Sequence, residues 1–481
     1  MAGSQSGGGT TNLLAENAIG MWSLVFFVLA ALAPLTLIVT VAPLHFLKGG
    51  ASVPSGYLIA GAVLALFAVG FTTMSTRVRN AGAFYAYIAR GLGRPMGTGA
   101  AMVALLAYNA LQISTYGLLG VYMSGTLKDF FGVEIHWFIP AIIGVAIVAY
   151  LGYRGIETSS KILSVLLILE TSVLVVLIAP VLLKGGLSGY SFDSFSPRNV
   201  FVLSNGAMLA LTFGAFMGFE ATAIFSEEAK DSKKTVPRAT YVAVAFIALF
   251  YCLVTYAIIL AYGPGNILAV ATNDPVNMVF AMADEWVSPV FTDVMRVLII
   301  TSIFAALLAL HNAANRYFYA LGREKVLPSA LGKTHPKMKS PWVAGLVQSL
   351  LAAVVVIGWL VFRLDPYLGL VLWGAAIAFL GVIALELLCA AAVIKYLRAN
   401  FPEVGLWRST IAPGLGLMGL CIIFVLVLNS LGLLSGIVGF GGNLALYGSL
   451  PLVFFAGLAR ALWMRDREPV AYEGLATINV D

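Results

Sequence analysis

Three observations predict an all-α polytopic membrane protein. The chain has 481 residues, of which 60% are hydrophobic and only 10% are charged, and its mean hydropathy is +0.95. Soluble domains carry about 25% charged residues, so this composition excludes an ordinary soluble protein. Apolar runs of about 20 residues, long enough to cross a bilayer, recur twelve times along the sequence.

The twelve runs predict twelve transmembrane helices, numbered here as spans 1 to 12 in chain order. Their approximate limits are 19–44, 56–75, 98–127, 137–153, 162–183, 202–227, 238–262, 292–320, 342–362, 367–396, 411–437 and 443–464. The Gly- and Ser-rich residues 1–18 predict a flexible cytosolic tail without a signal-peptide pattern. Residues 465–481 are expected to form a second cytosolic tail.

The distribution of basic residues predicts the orientation. With a cytosolic N-terminus, 22 of the 28 Lys and Arg residues fall on the cytosolic side and five on the other, with Arg296 near the outer end of span 8. Cytosolic loops of membrane proteins are enriched in positive charge. Both termini are therefore expected in the cytosol, and the protein is expected in a plasma or inner membrane. Topology explains the net charge of +6, so no nucleic-acid partner is expected.

Span 6 contains the strongest functional signal. An apolar helix at 202–211 is interrupted by Gly214 and Gly218 and resumes with Glu220 in the first turn of its second half. Each glycine costs a helix about 1 kcal/mol relative to alanine, and freed backbone groups at mid-bilayer must face protein, water or a ligand. A carboxyl group inside the membrane is a functional candidate by default. A broken helix beside a buried acid is typical of a transporter site.

Span 1 carries a matching interruption at Pro34. Proline removes a helical hydrogen bond and clashes with the preceding turn, so a simple kink is the alternative. An offset of five spans between the two interruptions inverts the second unit relative to the first, as in inverted-repeat transporters. The sequence therefore predicts a ten-helix transport core at 19–396, with repeats at about 19–183 and 202–396. Two additional helices at 411–464 would follow.

Three segments resemble motifs of one transporter family. NAGAFYAYIARGLG at 80–93 resembles the P-x-A-G-x-x-Y-x-Y segment that opens the third helix in the amino acid–polyamine–organocation (APC) superfamily. Residues 218–239 are similar to its sixth-helix pattern, G-F-[DE] with a later E-E pair, and 312–341 to its eighth-helix exit. VLAALAPLT in span 1 is most similar to the branch of bacterial putrescine importers and related amino acid permeases. The resemblance covers almost the whole chain. It implies a LeuT-like 5+5 inverted-repeat fold with discontinuous helices 1 and 6, and secondary transport of an amine-bearing metabolite.

The two predicted breaks offer a substrate complementary helix ends. If span 1 restarts at about 35–37, free N–H groups and a positive dipole end there suit a carboxylate. Carbonyl groups freed near Phe213 suit an ammonium group, and the resemblance implies the same arrangement. The expected substrate-binding residues at the breaks are Ala33, Pro34, Leu35, Thr36, Phe213, Gly214, Ala215, Phe216, Met217 and Gly218. Phe213 or Phe216 is a candidate aromatic cap, with ordinary packing as the alternative.

Glu220 and Glu170 are the candidate coupling residues. The resemblance places Glu220 at an acidic gating position beyond the sixth-helix break, and burial favours the neutral form of a carboxyl group. Capping of the helix start by an ionised Glu220 is the alternative. Glu170 aligns where several proton-coupled relatives carry a lysine. We therefore treat Glu170 as a candidate proton acceptor, and coupling through a lysine at this position is not expected. Thr301 and Ser302 are included as a candidate sodium site, although such hydroxyl groups mostly bond their own helix.

Other polar features leave alternatives open. In span 3, Tyr108, Asn109 and Gln112 form a polar stripe expected to face the bundle interior, and we include them as candidate substrate contacts. Putrescine importers carry an aspartate near the position of Ala107, so its absence here favours an amino acid over a diamine unless Glu170 or Glu386 compensates. The pair 227–228 is expected to form either a solvated charge cluster or an inner gate.

The predicted function is proton-coupled import of a small amino acid by alternating access. Import of a polyamine or ethanolamine, or amino acid exchange, is the alternative. No cofactor or metal is expected, because the three cysteines lack paired spacing. An enzyme is excluded by the absence of metal-ligand, nucleophile or nucleotide-binding motifs. Broken helices favour an occluded site over a channel, and a sensor would require a larger soluble region. Small solutes, protons and the bilayer are the expected partners.

Overall fold

Nearly all of the described chain is helical. The computed structural model describes residues 13–187, 189–437 and 439–476. Within these ranges, nine helices are long and apolar enough to cross a membrane, which confirms an all-α membrane protein. One of the nine, Met21–Ser75, contains both predicted spans 1 and 2, whereas span 4 has only 16 residues and span 6 is broken. The count of twelve spans stays a prediction. Residues 1–12 of the predicted N-terminal tail and 477–481 of the C-terminal tail lie outside the described residues.

The helices follow the predicted order. Span 1 comprises Met21–Leu32, Pro34–Thr36, a π-helical turn Leu37–Val41 and Ala42–Gly49; spans 2 to 5 are Val53–Ser75, Arg94–Phe131, Phe138–Tyr153 and Ile156–Lys184. Span 6 comprises Gly206–Gly214 and Ala221–Ile224; spans 7 to 12 are Ser232–Tyr262, Pro289–Arg323, Trp342–Val361, Leu372–Asn400, Ala412–Asn429 and Ser449–Arg467. Shorter helices include Phe84–Leu92, Ile267–Asn273, Met278–Trp286, Leu431–Ser435, Phe440–Tyr447 and Pro469–Glu473.

Span 1 breaks at Ala33. This residue has φ +47° in the left-handed region, and its N–H donates to the carbonyl of Ala30. Pro34 is the first residue of the second half, where its missing N–H removes no helical hydrogen bond. The interruption is therefore a true break and not the alternative of a simple proline kink.

Span 6 is broken over six residues. Its first half begins at Gly206, four residues later than predicted, after a 3₁₀ turn. Residues 215–220 form successive turns in which Phe216 and Met217 donate to carbonyl groups three residues earlier. Gly218 has φ +118°, a conformation that glycine alone adopts readily. This segment leaves main-chain groups outside any helix at mid-span.

The broken spans lie inside the bundle. The most apolar window of Met21–Ser75 is 78% buried, compared with 28% for span 9 and 22% for the region of span 12. The outer helices expose large apolar side chains such as Val354 and Leu452. A continuous apolar surface of this kind marks contact with a membrane.

Buried ion pairs close one end of the bundle. Arg316 donates to both carboxylate oxygens of Glu228, at 2.5 and 2.9 Å, and Arg323 donates to both oxygens of Glu227, at 2.7 and 2.9 Å. Glu227 also accepts from the N–H of Ala81 at 2.8 Å. Both acids are buried, so the interpretation as a solvated cluster is wrong. Their side chains turn into the bundle toward span 8 instead of toward the neighbouring lysines.

The C-terminal segment packs on the same end. The N–H of Ala476 donates to Glu324 at 2.8 Å, and Arg90 donates to the carbonyl of Ala476 at 2.8 Å. Tyr85 and Asn80 also donate to Glu324. The described part of the predicted tail therefore joins the helix Phe84–Leu92 to the end of span 8.

Candidate functional site

A cavity of about 280 Å³ lies between the two breaks. Spans 1, 3, 6, 8 and 10 all contribute to its lining. The lining residues from the breaks are Ala33, Thr36, Gly214, Ala215 and Met217. The cavity extends along span 1 as far as Leu44, away from the end that the ion pairs close. It therefore reaches the broken helices from one side of the bundle.

The cavity lining is mostly apolar and, among the described residues, carries no charged side chain. In the part of the chain that the structure describes, no Asp, Glu, Lys, Arg or His side chain lines it. Three of its hydroxyl groups, those of Thr40, Ser114 and Thr115, already donate to main-chain carbonyl groups. A polar ligand in this cavity therefore meets main-chain groups at the breaks and a few side-chain hydroxyl groups, including that of Tyr367.

The break of span 6 supplies acceptors. Among the main-chain hydrogen bonds of residues 215–220, none is made to the carbonyl oxygen of Ala215 or Met217. Both residues line the cavity. A carbonyl group accepts hydrogen bonds through two lone pairs, so two acceptors suited to an ammonium group lie just beyond Phe213.

The break of span 1 is already occupied by protein groups. The N–H of Leu35 donates to Oε2 of Glu170 at 3.3 Å, and the N–H of Thr36 donates to Oγ of Ser302 at 3.3 Å. The expectation of free N–H groups here is therefore wrong for this structure. The positive end of the second half of span 1 attracts an acidic side chain, and span 5 provides it.

Glu170 is held at this break by its place on span 5. The buried positions of that helix recur every three or four residues and include Leu163, Leu167, Glu170, Leu174 and Leu177. Ser302 donates to Oε2 of Glu170, and Thr36 donates to Ser302 at 2.9 Å, whereas Oε1 of Glu170 has no partner among the residues that the structure describes. No basic side chain in the described ranges forms an ion pair with it. The carboxyl group thus lies buried against main-chain and hydroxyl donors alone.

Glu220 connects the second break to span 3. Its Oε1 accepts from the hydroxyl of Tyr108 at 2.6 Å, and its Oε2 accepts from the N–H of Gly218 at 2.8 Å. The alternative of capping at Ala221–Ile224 is not what the geometry shows, because the bonded N–H belongs to the break itself. Each broken helix therefore presents one N–H group to a buried carboxyl group.

Several predicted residues lie outside the cavity. Pro34, Leu35, Phe213, Phe216 and Gly218 are buried at the breaks without lining it. The end of the Phe216 ring lies near Gly61 of span 2.

The polar residues of span 3 have different partners from one another, and so do the two hydroxyl residues of span 8. Asn109 donates to its own helix at Leu105, and Gln112 contacts His311 and Gln348 in a cluster between spans 3, 8 and 9. Thr301 donates to the carbonyl of Leu298 at 2.8 Å, so of the two candidates for a sodium site only Ser302 reaches Glu170.

The apolar walls of the cavity were not predicted from the sequence. They include Leu111 and Leu118 of span 3 and Ile303, Ala306 and Leu310 of span 8. Their helical spacing is visible in the sequence, but the same spacing marks any buried helix face. Nothing in the sequence distinguished a face that lines a cavity from one that packs.

Comparison with known proteins identifies the family of this chain. The sequence profile of the family "Amino acid permease" matches residues 23–365. The branched-chain amino acid permease BcaP of Bacillus subtilis is 27% identical over 79% of this chain and 80% of its own length. The methylthioribose transporter of the same organism is 23% identical over 79% of this chain and 82% of its own. The low-affinity putrescine importer PlaP of Escherichia coli K12 is 21% identical over 77% and 80%.

These relatives are permeases and transporters, not enzymes. The profile covers well over half of the chain, and it includes both breaks and the residues around them. The chain belongs to the amino acid permease family, within the APC superfamily.

Proposed function

We propose that this protein imports an amino acid with a small apolar side chain across the cell membrane, together with protons. The proposal includes twelve spans in a LeuT-like inverted repeat with both termini in the cytosol. The observation that carries it is the uncharged cavity between the two broken helices. Main-chain groups at the breaks match the ammonium group and the carboxylate of such a substrate, and the aliphatic walls of the cavity match its side chain.

The substrate's charged groups would meet main-chain groups at the two breaks. Its ammonium group fits the carbonyl oxygens of Ala215 and Met217, to which no main-chain N–H of the described residues donates, and its carboxylate fits the N–H groups that begin the second half of span 1. The aliphatic walls then receive the side chain. A diamine would place a second ammonium group against these walls without a carboxylate, and an unpaired buried charge is costly. The name of the branched-chain permease agrees with this substrate class, and that of the putrescine importer gives the alternative.

Coupling to protons would follow from competition at the span 1 break. Glu170 and the substrate carboxylate require the same N–H groups, those of Leu35 and Thr36. A protonated carboxyl group is a weaker acceptor than a carboxylate. Proton binding to Glu170 would release this helix end and its positive dipole for the substrate. Binding of the proton would then favour binding of the substrate, and binding of the substrate would favour binding of the proton, as symport requires.

Alternating access would depend on the buried ion pairs. In this structure the cavity extends away from the end that Glu227 and Glu228 close with Arg323 and Arg316. Opening that end to release substrate must separate these pairs or move them together. By the predicted orientation they form the inner gate, and the structure corresponds to a state closed toward the cytosol.

A thermal-shift screen of the purified protein tests the substrate class. A ligand that binds only the folded state raises Tm by mass action. We expect leucine, isoleucine and valine to raise Tm, and putrescine, spermidine and ethanolamine to leave it unchanged. A shift with the amines alone would contradict the proposal and support an amine importer.

A further inference from the structure

Another cavity, of about 220 Å³, lies on the outer surface of the bundle between spans 4 and 9. Tyr153, Trp342 and Leu346 line it and are exposed, and the adjoining faces of the two spans expose apolar side chains such as Ile147 and Leu350. An apolar surface of this kind marks contact with a membrane. The cavity lies where span 4 ends and span 9 begins, and Tyr and Trp are enriched at this level, the membrane–water interface. The cavity therefore opens toward the bilayer.

The inner wall of this cavity is formed by span 8 and by two glycines. Asn315 lines the cavity and is 2% exposed, and its Oδ1 has no partner among the described residues. Gly152 and Gly345 also line the cavity, and Cβ atoms added to them would lie 2.5 and 3.5 Å from Nε2 of His311. This Nε2 is likewise buried without a partner in the part of the chain that the structure describes. The absence of a side chain at both glycines therefore leaves the edge of the His311 ring at the cavity wall.

The two unpartnered atoms are complementary. Nε2 of Gln112 donates to Nδ1 of His311 at 3.2 Å, so the proton of the neutral ring lies on its own Nε2. His311 thus offers a donor and Oδ1 of Asn315 an acceptor. A single atom can approach both side chains, because a Cβ added to Gly345 would lie 3.1 Å from Nδ2 of Asn315 and 3.5 Å from Nε2 of His311. A hydroxyl group both accepts and donates, so one hydroxyl group satisfies the pair.

The surface around the cavity mouth is basic. Arg154 directly follows span 4, and Lys337 and Lys339 lie in the loop whose Ser340 donates to the last carbonyl group of span 4 at 2.9 Å. None of these three basic side chains forms an ion pair within the described ranges. Glu157 is the one acid within ten residues of any of them along the chain. Basic residues at a membrane surface attract anionic lipid headgroups.

We propose that this cavity binds an anionic membrane lipid with a hydroxyl-bearing headgroup, such as phosphatidylglycerol. A headgroup hydroxyl accepts from His311 and donates to Asn315, while the phosphate lies toward Arg154 and the two lysines. The cavity faces the bilayer, which favours a lipid over a soluble polyol phosphate with the same headgroup. Because span 8 contacts span 3 through Gln112, bound lipid stabilises the packing of spans 3, 4, 8 and 9. The inference is independent of the transported substrate.

Thermal unfolding of the delipidated protein in detergent, with lipids added one at a time, tests this inference. A ligand of the folded state raises Tm by mass action. We expect phosphatidylglycerol to act at about tenfold lower concentration than phosphatidic acid with the same acyl chains, because phosphatidic acid has the phosphate but no headgroup hydroxyl to form the hydrogen bonds. Phosphatidylcholine should act more weakly than either, and soluble glycerol phosphate should leave Tm unchanged.

Two variants separate the two parts of the site. Asn315→Leu keeps a similar volume and removes the acceptor, so we expect the preference for phosphatidylglycerol over phosphatidic acid to be lost. Asn109→Leu is the matched control, since Asn109 is also buried with an unpartnered Oδ1 among the described residues but does not line this cavity, and it should keep the preference. Arg154→Gln changes an exposed residue and should weaken both anionic lipids alike.

Equal effects of phosphatidylglycerol and phosphatidic acid on the unaltered protein would mean that water alone fills the cavity, and would overturn the inference. An equal effect of glycerol phosphate would assign the site to a soluble ligand and would also overturn it. If Asn315→Leu does not fold, Arg154→Gln decides, because undiminished binding of both anionic lipids contradicts the basic mouth. None of these measurements depends on transport, so a failure of the proposed function leaves this result standing.

Discussion

The breaks of spans 1 and 6 both place a main-chain N–H against a buried carboxyl group, but the two acids come from different places. Leu35 donates to Glu170, which is 135 residues away on span 5, whereas Gly218 donates to Glu220, two residues further along its own chain. An acid on the same segment fixes the shape of its own break. An acid on another helix also makes the break depend on the position of that helix. We therefore expect span 1 to respond to proton binding by moving and span 6 to keep its shape.

The two breaks also differ in the length and conformation of the interrupted backbone. Span 1 is interrupted at one residue, Ala33, and resumes immediately at Pro34. Span 6 needs six residues of turns, with Gly218 at φ +118°. We therefore propose that the short break lets the two halves of span 1 move relative to each other, and that the long break forms part of the substrate site.

The largest expected effect is that of Gly218→Ala. A side chain at φ +118° costs about 1–3 kcal/mol in backbone strain, and rotation to relieve it removes the N–H from Glu220. We expect a lower Tm and a loss of uptake of about tenfold or more. The space around Gly218 is not the cause, because an added Cβ would lie 3.6 Å from its nearest neighbour, in Leu32. Normal uptake would show that the shape of the span 6 break is not fixed locally.

Removal of one donor at each break sharpens the comparison. A hydrogen bond to a charged group contributes about 1.5–3 kcal/mol, so we expect Ser302→Ala and Tyr108→Phe each to reduce uptake by roughly tenfold. Only Ser302→Ala should also change the affinity for leucine, because its partner Thr36 lines the cavity and Tyr108 does not. Binding isotherms of both variants measure this, and equal affinities would remove the distinction between the breaks.

A smaller effect of opposite sign is expected for Ala33→Gly. Glycine adopts the left-handed conformation of Ala33 without strain, so the variant should fold and transport, with its free energy of unfolding raised by no more than about 1 kcal/mol. Thermal unfolding in detergent measures it. A severe loss would mean that the methyl group of Ala33, which lies on the cavity lining, contacts the substrate closely.

The smallest expected effect concerns Glu324, a buried acid outside both breaks. Burial raises the pKa of Glu324 above its ordinary value near 4.5, although its donors, among them Ala476, partly oppose this. The folded protein then binds more protons than the unfolded chain, so the stability from this group is complete below about pH 4.5 and is lost as pH rises through the folded pKa. Thermal unfolding of Glu324→Gln between about pH 5 and pH 8 should show a flatter dependence of Tm on pH than the unaltered protein. Parallel curves would contradict this assignment.

The two breaks could be predicted from the sequence because their signals are local. Pro34, Gly218 and Glu220 act within a few residues of their own positions, and each lies where the structure breaks a helix. The contact of Glu170 with Leu35 joins residues 135 apart and depends on which helices pack together, so the expectation of free N–H groups there was wrong. The same limit applies to Glu227, whose arginine partner lies 96 residues away.

Side-chain direction was the other limit. The polar stripe of span 3 is buried as expected, yet Tyr108 reaches Glu220 while Gln112 joins a separate cluster with His311. Helical periodicity predicts which face is buried and does not predict which neighbour each side chain meets. The apolar faces that form the cavity walls were overlooked for the same reason.

The affinity for leucine as a function of pH tests the central claim most directly. If Glu170 and the substrate carboxylate compete for the span 1 break, affinity in the unaltered protein must rise as pH falls, by up to about tenfold per pH unit while this group titrates. Isothermal titration of the unaltered protein and of Glu170→Gln compares the two cases, and the variant should bind tightly with that dependence removed. A pH-independent affinity in the unaltered protein, or an identical dependence in Glu170→Gln, would contradict the account.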